Sequence, residues 1–263
     1  MFESNQINSH LNHQKGAALL AFMLVVIVAA SFTLVNKLNR AASKSYREQG
    51  TAIALSRARE ALIGYAITYP DTHNNFGPGY LPCPDLDNDG DAEGSCALAG
   101  PINRTIGRFP YETLENEELR DASGARLWYA LSDNFRNNPK LEPLNSDTPA
   151  QFTLEGSTDI VAVIIAPGEP VGSQNRDPSE TSILNEIANY LEADNSDLDV
   201  DFVTSAAGDF NDRVIAITRK DLMSAVGKRV LGEVRKLLAG YRNIYNAYPW
   251  LTPFADPKAD YRR

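Results

Sequence analysis

The 263-residue chain has only three histidines, His10, His13 and His73, and only two cysteines, Cys83 and Cys96. Two of the histidines lie near the N-terminus. This scarcity argues against a His-rich zinc site and against a nucleophile activated by histidine. The sequence also lacks the G-x-S-x-G, H-E-x-x-H, phosphate-loop and C-x-x-C patterns that mark common enzyme sites. We therefore do not expect an enzyme.

Acidic residues outnumber basic residues in most of the chain. Residues 1–69 carry seven Lys or Arg against three Asp or Glu, whereas residues 70–263 carry 18 against 31. Phosphate binding needs clustered Lys and Arg, so the acidic part argues against nucleic acid as a partner. The composition, with 43% apolar and 22% charged residues, is that of a folded domain with a substantial core.

Charge is absent from residues 17–35, AALLAFMLVVIVAASFTLV, a run long enough to cross a bilayer as a helix. The helical pattern continues beyond the run without a small-residue cleavage site, which favours a retained anchor over a secretory signal peptide. The basic residues around the run are Lys15 before it and Lys37, Arg40, Lys44 and Arg47 after it. Charge counting alone would place the C-terminal side in the cytoplasm. The close cysteines, the acidic loop and the lack of a cytoplasmic enzyme motif favour the opposite orientation.

The segment KGAALLAFMLVVIVAASFTLVNKL (15–38) resembles the N-terminus of type IV pilins and type II secretion pseudopilins. In that family a prepilin peptidase cuts after a glycine that follows a basic residue. The resemblance implies cleavage between Gly16 and Ala17, where a glycine leaves the scissile peptide unobstructed. It also implies a single-pass protein of the inner membrane, with its globular domain in the periplasm or in an extracellular filament. A plain transmembrane anchor is the alternative.

The fifth mature position departs from the family pattern, because Ala21 stands where most members carry Glu. In the family that carboxylate pairs with the N-terminal amine of a neighbouring subunit inside the apolar filament core, where a charge must be paired. Its absence resembles the tip pseudopilin of type II secretion and some other minor pilins. The resemblance implies a minor, tip-like subunit whose partners are other pilin or pseudopilin subunits, the prepilin peptidase and the inner membrane.

Hydrophobic periodicity predicts an α+β fold. A long N-terminal helix packs against a small antiparallel sheet, and a second long helix lies near the C-terminus. The predicted parts are a cleavable leader at 1–16, a transmembrane half-helix at 17–35, its extramembrane half at 36–69 and a globular domain at 70–263. Residues 70–125 are rich in turns. Strands are predicted at 126–132, 151–156, 159–167, 201–205 and 213–218, and a short helix at 179–193.

The second long helix is predicted from about Arg219 to Tyr248. Apolar residues recur along it every three or four positions: Leu222, Val226, Val230, Val234, Leu237, Leu238, Tyr241, Tyr245 and Tyr248. Tyrosines at helical spacing more often belong to a core than to a binding surface, so we expect this stripe to be buried.

Residues 81–97, LPCPDLDNDGDAEGSCA, concentrate acidic side chains around a glycine. The candidate calcium ligands are Asp85, Asp87, Asp89, Asp91 and Glu93. Alternate oxygen ligands with Gly90 in sixth place resemble the start of an EF-hand loop, and hard oxygen ligands suit calcium. Cys96 stands where the twelfth-place Glu belongs, so the sequence predicts an isolated calcium loop. A solvated acidic turn is the alternative, since Asp, Asn and Gly favour turns.

Cys83 and Cys96 bracket this loop. In an oxidising compartment they would form a disulfide closing a loop of about 14 residues, worth about 3 kcal/mol in the chain-entropy model. Two free thiols are the alternative.

The favoured function is that of a minor pilin or pseudopilin-like structural subunit. A membrane-anchored calcium-dependent binding module or adhesin is the alternative. An anchored periplasmic hydrolase is less favoured, since its only candidates, Asp209 and Asp212, are acidic turn residues next to a strand.

Overall fold

The computed structural model describes residues 7–73, 76–94, 104–136, 144–177 and 183–249. Within these ranges it describes side chains from Leu19 onward, except those of Arg104, Thr105, Leu184 and Asn185. In chain order the elements are α1 (Ile7–Thr72), β1 (Arg104–Arg108), β2 (Trp128–Ser132), β3 (Phe152–Leu154), β4 (Ser157–Ala166), α2 (Ile183–Tyr190), β5 (Asp201–Phe202), β6 (Arg213–Thr218) and α3 (Arg219–Tyr245). The predicted α+β class is confirmed. The chain divides into two compact units, residues 1–50 and 51–263, and the boundary falls within α1.

The first unit is the N-terminal part of α1. Every side chain from Leu19 to Gly50 is exposed, including the whole apolar stretch from Leu19 to Leu38. A helix that is apolar on all sides and unburied is typical of a membrane span. This helix is long and apolar enough to cross a bilayer. It is therefore compatible with single-pass anchoring.

In the second unit, α1 packs one side onto the sheet. The buried side chains are Ala54, Leu55, Ala58, Leu62, Ala66 and Tyr69. Pro70 lies in the last turn and has no N–H to donate to the carbonyl of Ala66. That carbonyl instead accepts a hydrogen bond from Gly79 N at 2.8 Å. The bond holds the segment that follows α1 against the last turns of the helix.

The sheet is centred on β4. Strand β2 pairs antiparallel with one edge of β4 and β6 pairs antiparallel with the other, while β1 pairs with the outer edge of β2. Ile160 pairs with both Phe152 in β3 and Thr218 in β6, so β3 shares an edge of β4 with β2. Strands β3 and β5 run parallel, so the sheet is mixed and not wholly antiparallel as predicted.

Both faces of the sheet are covered, which explains the nearly continuous apolar sequence of β4. Ala162 and Ile164 belong to the cluster that contains the buried side of α1. Val163 and Ile165 belong to a second cluster with Ile183 and Ile187 of α2. The result is three layers, with α1 on one face and α2 on the other.

Helix α3 follows β6 directly and is capped at both ends. The Thr218 side chain accepts a hydrogen bond from Asp221 N, and Asn246 closes the other end in the left-handed conformation. Leu222 is buried and Val226 packs partly buried against the core, but the predicted stripe is exposed from Val230 onward. The expectation of a buried stripe is therefore wrong, because the helix extends past the sheet. The exposed members are Val230, Val234, Leu237, Leu238, Tyr241, Tyr245 and Tyr248.

Two further elements differ from the prediction. Strand β1 lies in the region predicted to be turns; its sequence, RTIGR, is short and has no run of apolar residues. Helix α2 spans Ile183–Tyr190, shorter than the predicted 179–193, of which residues 179–182 lie outside the described part.

Candidate functional site

The acidic loop begins as an irregular extension of the sheet beside β1. Asp85 N donates to Arg108 O at 3.0 Å, and Arg108 N donates to Asp85 O at 2.8 Å. Gly107 permits this close approach, because a Cβ at that position would lie 2.4 Å from the Asp85 carbonyl oxygen. The first acidic residue is thus held against a strand by its backbone.

The loop then folds around the carboxylate of Asp85, which is fully buried. Its Oδ1 accepts from Asn88 N at 2.6 Å and its Oδ2 accepts from Gly90 N at 2.8 Å. Asn88 and Gly90 both have positive φ, at 70° and 97°, which lets the chain bend this tightly. Burial raises the pKa of Asp85; the nearby Asp89 and Asp87 add to that increase, and the two backbone hydrogen bonds oppose it.

Three of the five predicted ligands come together. One carboxylate oxygen from each of Asp85, Asp87 and Asp89 lies within 4.8 Å of the other two. This arrangement of hard oxygen ligands, one buried and two exposed, can hold a metal ion. Asp91 and Glu93 are outside this group: Asp91 Oδ1 accepts from the Thr113 hydroxyl at 3.2 Å, and Glu93 Oε1 accepts from Leu86 N at 3.2 Å.

The outer side of the loop is held by residues that follow β1. Arg126 Nη1 donates to the backbone and side-chain oxygens of Asn88, at 3.1 and 2.6 Å. Glu112 N donates to Gly90 O at 2.9 Å. The Tyr111 ring lies so close to Gly90 that an added Cβ would approach it to 2.6 Å. These contacts tie the loop to the segment that follows β1.

The remaining predicted site residues are not brought into this arrangement. Cys83 is fully buried and is not a free thiol, while Cys96 lies outside the described residues, so their disulfide stays a prediction. Gly16 and Ala17 lie within the helical backbone of α1, and their burial is outside the described set. Cleavage between them also stays a prediction.

Sequence reasoning missed a buried ion pair beside the loop. Arg108 Nη2 donates to Glu186 Oε2 at 2.5 Å, and both side chains are 4% exposed. The guanidinium carbon lies 4.3 Å from the Trp128 ring centroid and 4.0 Å from that of Tyr190. Arg108 therefore connects the loop, through its backbone, to α2, through its side chain. No local pattern marks it, because its partner is 78 positions away.

A second buried cluster joins α2 to β6. Glu192 Oε2 accepts from Asn211 N and Asp212 N, while Asp212 Oδ2 accepts from Glu192 N and from the Asn195 side chain. Burial, with the neighbouring Glu192 carboxylate, raises the pKa of Asp212 to about 8. Asp212 is 1% exposed whereas Asp209 is exposed, so the two do not form an accessible carboxylate pair.

No protein-family model matches the chain, and comparison with curated proteins and with solved structures finds no match. The structure itself has a long apolar N-terminal helix followed by a small sheet, which is consistent with a pilin-like architecture.

Proposed function

We propose that this chain is a minor pilin or pseudopilin-like structural subunit that assembles into, or caps, a type IV pilus or type II secretion pseudopilus. The observation that carries the proposal is α1. Its exposed apolar stretch continues, in one helix, into the segment from Ala54 to Tyr69 that packs on the sheet. One helix thus serves both as an anchor and as part of the globular core.

Assembly would bury the apolar stretch laterally among neighbouring helices. Small residues such as Ala21, Ala29 and Ala30 allow close helix packing in a lipid or filament environment. Because position 21 is Ala and carries no carboxylate, this subunit does not need the N-terminal amine of a neighbouring subunit as a partner. This suits a position at the tip. The globular unit would lie in the periplasm, where Cys83 and Cys96 can be oxidised.

The leader gives the first test. Co-expression with a prepilin peptidase is expected to yield a mature chain that begins at Ala17, read by N-terminal sequencing of the membrane fraction. Gly16→Val is expected to abolish processing, because a branched side chain obstructs the scissile peptide, while the protein stays in the membrane. Ser9→Val, within the leader, is the matched control and should be cut normally. An intact Gly16–Ala17 bond in the wild-type chain would leave only a plain anchor.

A second candidate function, calcium-dependent binding by an anchored module, is favoured by one observation. Asp85, Asp87 and Asp89 direct carboxylate oxygens to one place in a loop that the rest of the domain holds fixed. A cation there would relieve the repulsion among the three carboxylates. Their hard oxygen ligands suit calcium.

Calcium is therefore expected to raise the thermal unfolding temperature of the full chain in detergent micelles, relative to EDTA and to equal ionic strength of sodium. Asp87→Asn and Asp89→Asn should each weaken calcium binding about tenfold or more, measured by calorimetry, because each removes a charged ligand. Asp194→Asn, an exposed aspartate elsewhere, is the control. Equal binding by all three variants, or no binding, would identify a solvated turn and leave the pilin proposal untouched.

A further inference from the structure

The second half of α3 is uncovered by the described residues. From Val230 to Tyr248 every side chain except Glu233 is exposed, with Leu237 at 72% and Ile244 at 75%. With Ile53, the apolar side chains of this segment are the only large ones exposed among the described residues of the globular unit. We call residues 228–245 the free half of α3.

The free half is strongly amphipathic. A rotation of about 100° per residue places its Val, Leu, Ile and Tyr side chains in one arc of roughly 140°. The other arc carries Lys228, Arg229, Arg235, Lys236 and Arg242 against a single acidic residue, Glu233. A lone helix of this length is marginal in water, so its stability calls for a partner that covers the apolar arc.

The charge distribution favours the globular unit of a second copy as the partner of the free half. Helix α3 carries seven Lys or Arg and two Asp or Glu, whereas the rest of residues 51–263 carries 13 and 30. A basic helix on an acidic domain is complementary to the domain of another copy. Pairing of two α3 helices is disfavoured, because each would bring the same excess of basic residues.

The globular unit has a groove whose lining combines apolar side chains with carboxylates. It has a volume of about 440 Å³ and lies between α1 and the segment after β1, lined by Arg57, Glu60, Ala61, Asn116, Glu117 and Leu119. Half-buried apolar side chains therefore lie beside exposed carboxylates, and Glu112 and Glu115 add further exposed negative charge along the same segment. Apolar side chains of α3 can enter this groove while its basic residues meet the acidic rim.

The free half of α3 and the groove lie near opposite ends of residues 51–72, the part of α1 that belongs to the globular unit. Arg59 pairs with Asp221 at the start of α3, and Asp71 pairs with Arg229 two turns later, so α3 runs in the same general direction as α1. The free half continues beyond Asp71, whereas the groove lies at Arg57–Ala61, about 20 Å back along α1 at 1.5 Å per residue. The free half therefore points away from the groove of its own chain.

We propose that the free half of α3 binds in the acidic groove between α1 and residues 112–119 of a second copy. Because donor and acceptor are different surfaces, the contact between the two copies is heterologous. It goes beyond the proposed function and does not use residues 17–35, so it can fail or hold independently of leader cleavage. A basic amphipathic helix also suits an anionic lipid surface, which is the competing outcome of the test.

The test places a photo-crosslinking amino acid at Leu237 of the full chain in detergent micelles, with an equal mixture of ¹⁴N- and ¹⁵N-labelled protein. Crosslinks between copies are expected at residues 57–61 or 112–119. The double change Arg235→Glu with Lys236→Glu should lower their yield about tenfold, because it reverses two complementary charges. Glu115→Lys with Glu117→Lys on the other copy should restore much of that yield, whereas the control Asp147→Lys should not.

Four results would overturn the proposal: α3–α3 crosslinks, crosslinks to residues 19–38, loss of intermolecular crosslinks in favour of added anionic lipid, or no crosslinks at all. Retention of the full yield by the charge-reversed helix would also overturn it. Circular dichroism of each variant confirms that the fold is kept.

Discussion

Glu186→Gln is expected to lower the free energy of unfolding by about 3–5 kcal/mol, because it leaves the Arg108 cation buried without a counter-ion. The guanidinium is enclosed between Trp128 and Tyr190, and its Nε already lacks a hydrogen-bond partner among the described residues. With its side chain only 4% exposed, the guanidinium has little solvent to replace the lost carboxylate. Denaturant unfolding of the full chain in micelles, followed by tryptophan fluorescence, measures the loss.

Removing both charges separates the ion pair from its burial. Arg108→Met combined with Glu186→Leu should cost much less than Glu186→Gln alone, because no unpaired charge remains in the core. Arg120→Gln is the surface control. The Arg120 side chain is about half exposed where it pairs with Glu118, so loss of this ion pair should cost under about 1 kcal/mol. Equal losses for Glu186→Gln and Arg120→Gln would show that the buried pair is not needed.

Asp212→Asn is expected to stabilise the protein at high pH and to change little at low pH. The folded state holds the Asp212 proton more tightly than the unfolded chain, since its pKa is raised from the usual 3.8 to about 8. The stability from this group is therefore complete below about pH 4 and is lost as pH rises to about 8. Above that pH the variant should gain on the order of a few kcal/mol over the wild type.

The geometry makes asparagine a good substitute for the protonated acid. Its amide oxygen can keep the hydrogen bonds from Glu192 N and the Asn195 side chain, and its neutral NH₂ takes the place of Oδ1 without adding a charge. Asp209→Asn, at an exposed site three residues earlier, is the control. Thermal unfolding from pH 4 to 9 should show a pH-dependent gain for Asp212→Asn alone. Parallel stability curves for wild type and Asp212→Asn would contradict this account.

Elements with strong local signals were predictable. Strand β6 has the bounds expected from RVIAIT, and the long β-branched run at 159–167 became the central strand β4. Pro70 marked the end of α1 to within three residues: the helix was predicted to stop at Tyr69 and ends at Thr72, with Pro70 in its last turn. Strand β1 was missed because a five-residue strand containing Gly107 has no clear alternation and depends on β2 for its pairing.

The grouping of carboxylates in the acidic loop could be predicted from the sequence, but the contacts that bury and hold the loop could not. Its alternating carboxylates and central glycine are local, and the meeting of Asp85, Asp87 and Asp89 follows from them. That Asp85 is buried and that Arg126 holds Asn88 depend on residues brought in from β1 and from the segment between β1 and β2. Spacing along the chain carries no information about such contacts.

The amino-acid sequence by itself determined the apolar span at 17–35, the long helix, the central strand and the acidic loop, because each depends on neighbours within one or two turns of chain. Only the tertiary structure decided which charges are buried and which apolar faces are covered. Arg108 and Glu186 meet across 78 positions, and α3 carries a stripe typical of a core helix yet extends beyond the sheet. Periodicity shows that a face is apolar, but what covers that face depends on where the packing surface ends.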